Sequence, residues 1–354
     1  MFEKIKKLIE KAGWPRIIIG LFLLSLFFIA PFVGIKVSTS ISDTIVRFAM
    51  NAVLVLSLVP MVQSGCGLNF GMQLGVIAGL IGAITSIELG ITGLAGFLVA
   101  IVIAIPFAAI LGFLYGLLLN RVKGDEMVVA TYVGFSSVAF MSMMWLLLPY
   151  KSPNMIWGYG GEGLRTTISV EGYWLGVLND FLSIKVGNFF FPTGTIIFFG
   201  LMALIIWIFF KTKLGTAMTA AGSNPVYARA AGVNVDRMRV LSVVISTIVA
   251  AIGILVYEQS FGFIQLYMAP LLMAFPAVAA LLLGGASVSK ATISHALLGT
   301  ILFHTLFIVS PLAGRNLFGD AQIGEYFRSF VAYGVIAVAL GLHAWKKLMQ
   351  GRKK

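Results

Sequence analysis

Long apolar runs alternate along the chain with short polar breaks. Runs without an internal charge fall at about 17–35, 48–62, 72–87, 91–119, 127–149, 193–210, 240–257, 268–283, 291–310 and 329–345. A spanning helix needs about 20 mainly apolar residues, so the pattern predicts an all-α, polytopic membrane protein with about ten transmembrane helices. Ser86, Glu88 and Gly90 are the only interruption in a stretch long enough for two crossings and are expected to form a turn. The transmembrane part is expected over 17–345, after an amphipathic basic segment at 1–16 and before a basic tail at 346–354. The first run follows Lys4, Lys6, Lys7 and Lys11 with no small-residue cleavage site, so it reads as an uncleaved first span. The segment before it is suited to anionic lipid on the inner leaflet, or serves simply to hold that first helix in place.

Composition agrees with the pattern. Of 354 residues, 59% are hydrophobic and 11% charged, against about 25% charged in a soluble domain. A soluble globule is excluded. The net charge of +12 would otherwise point to nucleic acid. Sorting it by side removes that reading: with both termini inside, 18 basic and five acidic residues lie inside, and seven basic and eight acidic outside, so the sides carry +13 and −1. This is the positive-inside distribution, and it predicts a multi-pass protein of a bacterial or archaeal cytoplasmic membrane with no nucleic-acid partner. Cys66 is the one cysteine, which excludes an intramolecular disulfide and a zinc cluster of paired thiols.

The spans are poor in groups that could carry an ion. Glu88 and Glu258 stand at predicted outer ends, and His295, His304 and His343 are the only histidines. An ion-coupled carrier needs ionisable groups near mid-membrane. A nucleotide site is also missing, because GGASVSK at 284–290 lacks the spacing and the following hydroxyl of a phosphate loop. No cofactor, metal or catalytic residue is therefore assigned to this chain, and an energy source on a separate subunit is expected.

Two loops exceed what a hairpin needs. The outer one, 150–192, carries Trp157, Tyr159, Tyr173 and Trp174 among glycines and suits an interfacial cap or a docking surface. The inner one, 211–239, is the candidate contact with an energising subunit. Within it Asn224 suits an N-cap, Pro225 the first helical position and Gly232 a C-terminal stop, which predicts a short helix with Tyr227 and Arg229 projecting. An ordinary surface turn is the alternative.

The residues of this loop carry a resemblance. GTAMTAAGSNPVYARAAGVNVDRMRVLS resembles the coupling loop of permease subunits of binding-protein-dependent ABC importers, in the branch serving simple sugars, nucleosides and branched-chain amino acids. Gly215, Ala220, Gly222, Asn224, Ala228, Gly232, Val233 and Val235 match that branch's spacing, and Arg229 replaces its second alanine. SGCGLNFGMQLGVIAGLIGAI (64–84) is similar to the glycine-rich break before the third span of these permeases, and PAVAALLLGGASVSKATISHALLGT (276–300) to their second glycine motif. The resemblance covers most of the chain and implies the ABC importer permease fold. Asn224 to Ala231 would enter a cleft in the ATP-binding cassette subunit, which alone would use ATP. A second permease subunit, identical or related, and an extracytoplasmic solute-binding protein would complete the assembly.

The glycine motifs supply candidate pathway residues: Gly65, Gly67, Asn69, Gly71, Gln73, Gly284, Gly285 and Ser287. Glycines can free backbone at membrane depth where it lines a cavity, and the amides of a half-helix start could then donate to a neutral solute. Close helix packing is the alternative use of the same glycines. Sugar-type members usually carry an aspartate where Gly67 stands; nucleoside-type members share Leu68, Asn69 and Gly71, with Gln73 near their glutamate. The resulting expectation is a small neutral polar solute, a simple sugar first and a nucleoside as the alternative, with an ion-coupled secondary transporter as the rival class.

Overall fold

In the computed structural model, residues 36–158 and 163–330 are described, together with Leu24, Tyr333, Gly334 and Ala337. The expected segments 1–16, 17–35 and 346–354 and most of 329–345, with Tyr159 and His343, lie outside the described residues.

The helices are α1 (Val37–Gln63), α2 (Gln73–Glu88), α3 (Gly93–Arg121), α4 (Glu126–Leu147), α5 (Thr193–Lys211), α6 (Lys213–Ser223), α7 (Pro225–Ala230), α8 (Val235–Phe261), α9 (Ala269–Leu283) and α10 (Ile293–Phe318), and a helical stretch follows over 321–330. Every expected span within the described residues is a helix. Six of them, α1, α3, α4, α5, α8 and α10, are long and apolar enough to cross a membrane. With 16 and 15 residues, α2 and α9 rise only about 24 and 22 Å, short of a hydrocarbon core of about 30 Å. Each adjoins one of the glycine-rich breaks, 64–72 before α2 and 284–292 after α9.

The span expected to begin at 48 starts at Val37, so Arg47 lies inside α1 instead of in a loop. Hydropathy misses roughly the first three turns because Ser38, Thr39, Ser40, Ser42, Asp43 and Thr44 are polar. Two of these side chains find partners within the fold: Thr44 Oγ1 donates to the Ser40 carbonyl at 2.8 Å, and Ser42 Oγ to the Phe190 carbonyl at 2.9 Å. The interruption in 72–119 is a turn, with Gly90 and Gly93 at φ +67° and +64°.

Helix α8 is the hub, packed on α1, α2 and α3. In lipid, helices associate by close packing because the tails are as apolar as the side chains. The sequence provides for this with small residues. A Cβ on Gly75 would lie 2.6 Å from that of Ala250, and one on Gly116 would lie 3.0 Å from the Val240 Cα. The hydropathy windows of α1 and α8 are each 72% buried, whereas those of α3, α4 and α5 are 22–28% buried and leave apolar faces for lipid or other chains.

The two ends differ in chemistry. At one end Lys123 Nζ meets Asp236 Oδ1 at 2.6 Å and Arg239 pairs with Glu126, tying the α3–α4 corner to the start of α8. This basic end also holds α6 and α7. The opposite end is capped by 150–192. There β1 (Thr167–Ser169) pairs with β4 (Phe263–Gln265), and β2 (Ile184–Val186) with β3 (Phe189–Phe191), both antiparallel. The cap is tied down from below: Glu88 accepts from the Lys151 and Ser152 amides at 3.0–3.2 Å. Gln259 Oε1 accepts from the Leu178 amide at 3.2 Å, and Thr195 Oγ1 donates to Asn179 Oδ1 at 2.6 Å.

Candidate functional site

The inner loop is more structured than its composition suggests. Thr212 caps α6, its Oγ1 accepting from the Gly215 amide at 3.2 Å; Asn224 caps α7 by accepting from the Tyr227 amide at 3.0 Å; Asn234 caps α8 by accepting from the Arg237 amide at 3.0 Å. Three consecutive side-chain caps make three helices with sharp corners, each cap being worth about 1 kcal/mol. The short helix at 225–230, its Asn224 cap and Pro225 at its start are as the sequence predicts, and Gly232 turns the chain at φ +83°. Helix α6 is an addition: its buried side, Gly215, Met218 and Ala221, is made mostly of small residues that do not stand out as an apolar stripe.

The loop's residues divide into a packed and a projecting set. Ala228 is buried in a small cluster with Ala221 and Val235, so this alanine serves the chain's own packing. Val226 and Tyr227 project at 76% and 71% exposure, and Arg229 extends to within 3.7 Å of Asp236. Val226 is a residue the motif did not single out; its signal is an apolar side chain directly after a capped proline. Gly215 and Gly222 are required by close approach: a Cβ on Gly222 would lie 2.8 Å from the Gly65 amide nitrogen and overlap the Gln63 carbonyl. Ala220, beside the buried cluster, completes the motif.

That contact joins the loop to the first glycine-rich break. From Gln63 the chain climbs without helix to Gln73. Its polar groups are satisfied level by level on α8: Ser242 Oγ donates to Ser64 Oγ at 2.6 Å, and Asn69 Nδ2 to Ser246 Oγ at 2.9 Å. Asn69 Oδ1 also accepts from the Gly71 amide at 3.1 Å and from the Tyr115 hydroxyl at 3.2 Å. Four residues along α8, from 242 to 246, correspond to about 6 Å of depth. The break therefore enters the bundle as non-helical backbone buried in protein, the setting in which such backbone is tolerated.

The candidate pathway residues have distinct surroundings. Gly65 and Gly67 have φ +79° and +81°, which favours glycine. Gly67 faces Met127 and Val288, and a Cβ on Gly71 would strike the Tyr115 ring. The amides at the start of α2 are engaged within the turn, Leu74 to Gly71 and Gly75 to Met72. Gly284 packs on His295 and Gly299 where α9 meets α10, and Gly285 turns at φ +88°. Ser287 is exposed and bridges to Lys290 through backbone bonds. Gln73 stands apart: it is fully buried beneath Gly134 of α4, where a Cβ would lie 2.5 Å from Gln73 Oε1, and neither its oxygen nor its nitrogen has a partner among the described residues.

On the opposite side of α4 lies a shallow, wide-open groove formed by residues of this helix alone, Val129, Tyr132, Val133, Ser136, Ser137 and Phe140. Hydroxyls and aromatic rings share this face of a spanning helix. The sequence held a signal for it, since Tyr132, Ser136 and Ser137 interrupt an otherwise apolar run. Outside the spans, burial raises the Tyr150 phenol above its ordinary range, partly offset by the 2.9 Å hydrogen bond with Thr85.

Comparison with known proteins gives two relatives and a family. The chain is similar to the nucleoside ABC transporter permease protein NupB of Lactococcus lactis subsp. cremoris (strain MG1363), 27% identical over 195 residues that cover 53% of this chain and 50% of the relative. It is also similar to the probable ABC transporter permease protein YphD of Escherichia coli (strain K12), 31% identical over 149 residues, 42% of this chain and 43% of the relative. The chain thus spans about half the length of the curated relatives it matches, and no solved structure matches it. Over residues 40–340 it matches the family described as "Branched-chain amino acid transport system / permease component", and this multi-pass membrane protein, a transport subunit and not an enzyme, belongs to that family.

Proposed function

We propose that the chain forms the translocation pathway of an ATP-driven importer in a bacterial or archaeal cytoplasmic membrane, with its basic end and both termini in the cytoplasm. ATP is hydrolysed by an ATP-binding cassette subunit docked on α7. A second permease subunit, identical or related, completes the pathway, and an extracytoplasmic solute-binding protein delivers the solute. The observation that carries this reading is α7 itself: a rigidly capped helix at the basic end, offering Val226 and Tyr227 to a partner. Tyr227 is of a residue type enriched among interface anchors, and Val226 beside it adds apolar surface.

The solute is a small neutral polar molecule, and the α4 groove is its wall. A nucleoside fits the chemistry there, because Tyr132 and Phe140 can stack on a base while Ser136 and Ser137 meet sugar hydroxyls. Similarity to a protein named for nucleoside transport supports the same choice. A simple sugar is the second reading: the first glycine motif offers the uncharged amide of Gln73, unpaired among the described residues, and no carboxylate, which suits a polyhydroxylated solute lacking charge.

The test of docking is co-purification. Val226→Glu is expected to leave the chain inserted in the membrane and to weaken retention of the ATPase subunit at least tenfold. Normal retention with normal uptake would overturn the docking assignment. For the groove, Ser136→Phe is expected to reduce uptake several-fold with the ATPase still bound; unchanged uptake would remove the groove from the pathway.

A further inference from the structure

The cap contains a two-stranded hairpin with one wholly apolar face and a second face that carries Lys185 and Phe190. In its register Ile184 lies opposite Phe191 and Val186 opposite Phe189, so these four side chains share one face. The Phe189 and Phe191 rings stack on that face with centroids 6.5 Å apart. Ile184 and Val186 remain 52% and 67% exposed. The other face carries Lys185, whose Nζ lies 5.2 Å from the Phe190 ring and 3.6 Å from Asp180 Oδ1. Immediately before the hairpin Phe181 and Leu182 are exposed as well, and Leu182 is held at φ +52°, a left-handed conformation unfavourable for a leucine. Water is a poor setting for so much apolar surface in one extramembrane segment.

The position of the hairpin says what covers it. Only Pro192 separates β3 from α5. Helix α5 is 19 residues long, about 28 Å, close to the hydrocarbon thickness of about 30 Å. Its far end is marked by Lys211, whose Nζ lies 5.5 Å from the Trp207 ring, an aromatic and cationic pair of the kind that sits at a membrane boundary. Thr193 therefore lies at the opposite boundary, and the hairpin lies in the interfacial layer just beyond it. Helix α5 itself exposes Ile197, Leu201, Leu204 and Ile208.

We propose that the hairpin at 184–191, with Phe181 and Leu182, is an interfacial anchor whose Ile184, Val186, Phe189 and Phe191 face rests in the phospholipid leaflet at the cap end, with Lys185 on the water side. The anchor also holds α1: Ser42 Oγ both donates to the Phe190 carbonyl and accepts from the Phe190 amide, each at 2.9 Å. The lipid surface thus fixes the cap end of α1 through one backbone position. The proposal depends on membrane insertion of the chain and not on its solute or its ATPase.

The test uses the full chain, whose own Cys66 is buried, carrying Ile184→Cys, Lys185→Cys or Val186→Cys. Each variant is labelled with a small environment-sensitive fluorophore and placed in nanodiscs of phosphatidylcholine and phosphatidylglycerol. Labels at 184 and 186 are expected to emit blue-shifted light, to be quenched by lipids bearing a nitroxide near the headgroup, and to resist aqueous iodide several-fold better than the label at 185. Equal iodide quenching at all three positions, with no effect of nitroxide lipid, would overturn the anchor. So would shielding of 184 and 186 that arises only when the extracytoplasmic binding protein is added, which would make this face a protein-docking surface. Should one of the apolar-face variants fail to fold, the other carries the same comparison against 185.

Discussion

Asn69 and Gln73 are four residues apart and equally buried, yet the structure treats them in opposite ways. Asn69 is fully engaged, holding Ser246, Tyr115 and the Gly71 amide. Replacing it with leucine would keep the volume and strand those partners, at about 1–3 kcal/mol for each group left unsatisfied. Asn69→Leu is expected to lower the thermal midpoint in detergent by several degrees; an unchanged midpoint would show that the break does not depend on it. Gln73 has no partner among the described residues to lose, so Gln73→Leu is expected to keep stability and to change solute uptake, measured as a shift in KM. Glu258 is the remaining buried group of note: its two carboxylate oxygens have no partner among the described residues, and it was a candidate for ion coupling. Glu258→Gln preserves shape and removes titration, and uptake is expected to be unchanged across an imposed proton gradient. Loss of uptake would revive an ion-coupled mechanism.

At the scale of elements, side-chain caps were easier to read than a helix whose buried side is mostly small residues. Asn224, Pro225 and Gly232 announce α7 because capping chemistry is local and needs no knowledge of the rest of the fold. The neighbouring α6 was not legible, since the small residues of a run such as TAMTAAG do not stand out as an apolar stripe and carry no charge pattern. The start of α1 was hidden for a related reason, its first turns being polar residues whose bonds to Ser40 and Phe190 appear only once the chain is folded. The motif also mixed two kinds of residue. Ala228 looked like part of a docking surface, but its burial against Ala221 and Val235 makes Ala228→Glu a lesion of the loop itself. The variants should therefore separate: Tyr227→Ala is expected to weaken ATPase retention while leaving the thermal midpoint intact, whereas Ala228→Glu lowers both. Equal behaviour of the two would contradict the division into projecting and packed faces.

The whole molecule places its chemistry at two ends. The charge sorted from the sequence reappears as a basic end, where Lys123, Arg239 and Glu126 knit α3, α4 and α8 together beside α6 and α7. The first glycine-rich break starts at that end, touches α6 through Gly65 and Gly222, and finishes under α4 at Gln73 and Gly134. The sequence conveyed the family, the apolar helices within the described residues, six of them long enough to cross a membrane, and the short capped helix α7. For the α4 groove it held only the hint of Tyr132, Ser136 and Ser137, because which face of an apolar helix is left open is decided by packing partners far away in the chain. The central claim is that ATP binding and hydrolysis on a partner subunit drive a neutral solute through this chain. Its most direct test is uptake of labelled uridine or ribose into proteoliposomes containing the permease with its ATPase and binding protein. The account predicts uptake that requires internal ATP and persists when proton and sodium gradients are collapsed; uptake by the permease alone, driven by an ion gradient and indifferent to ATP, would contradict it.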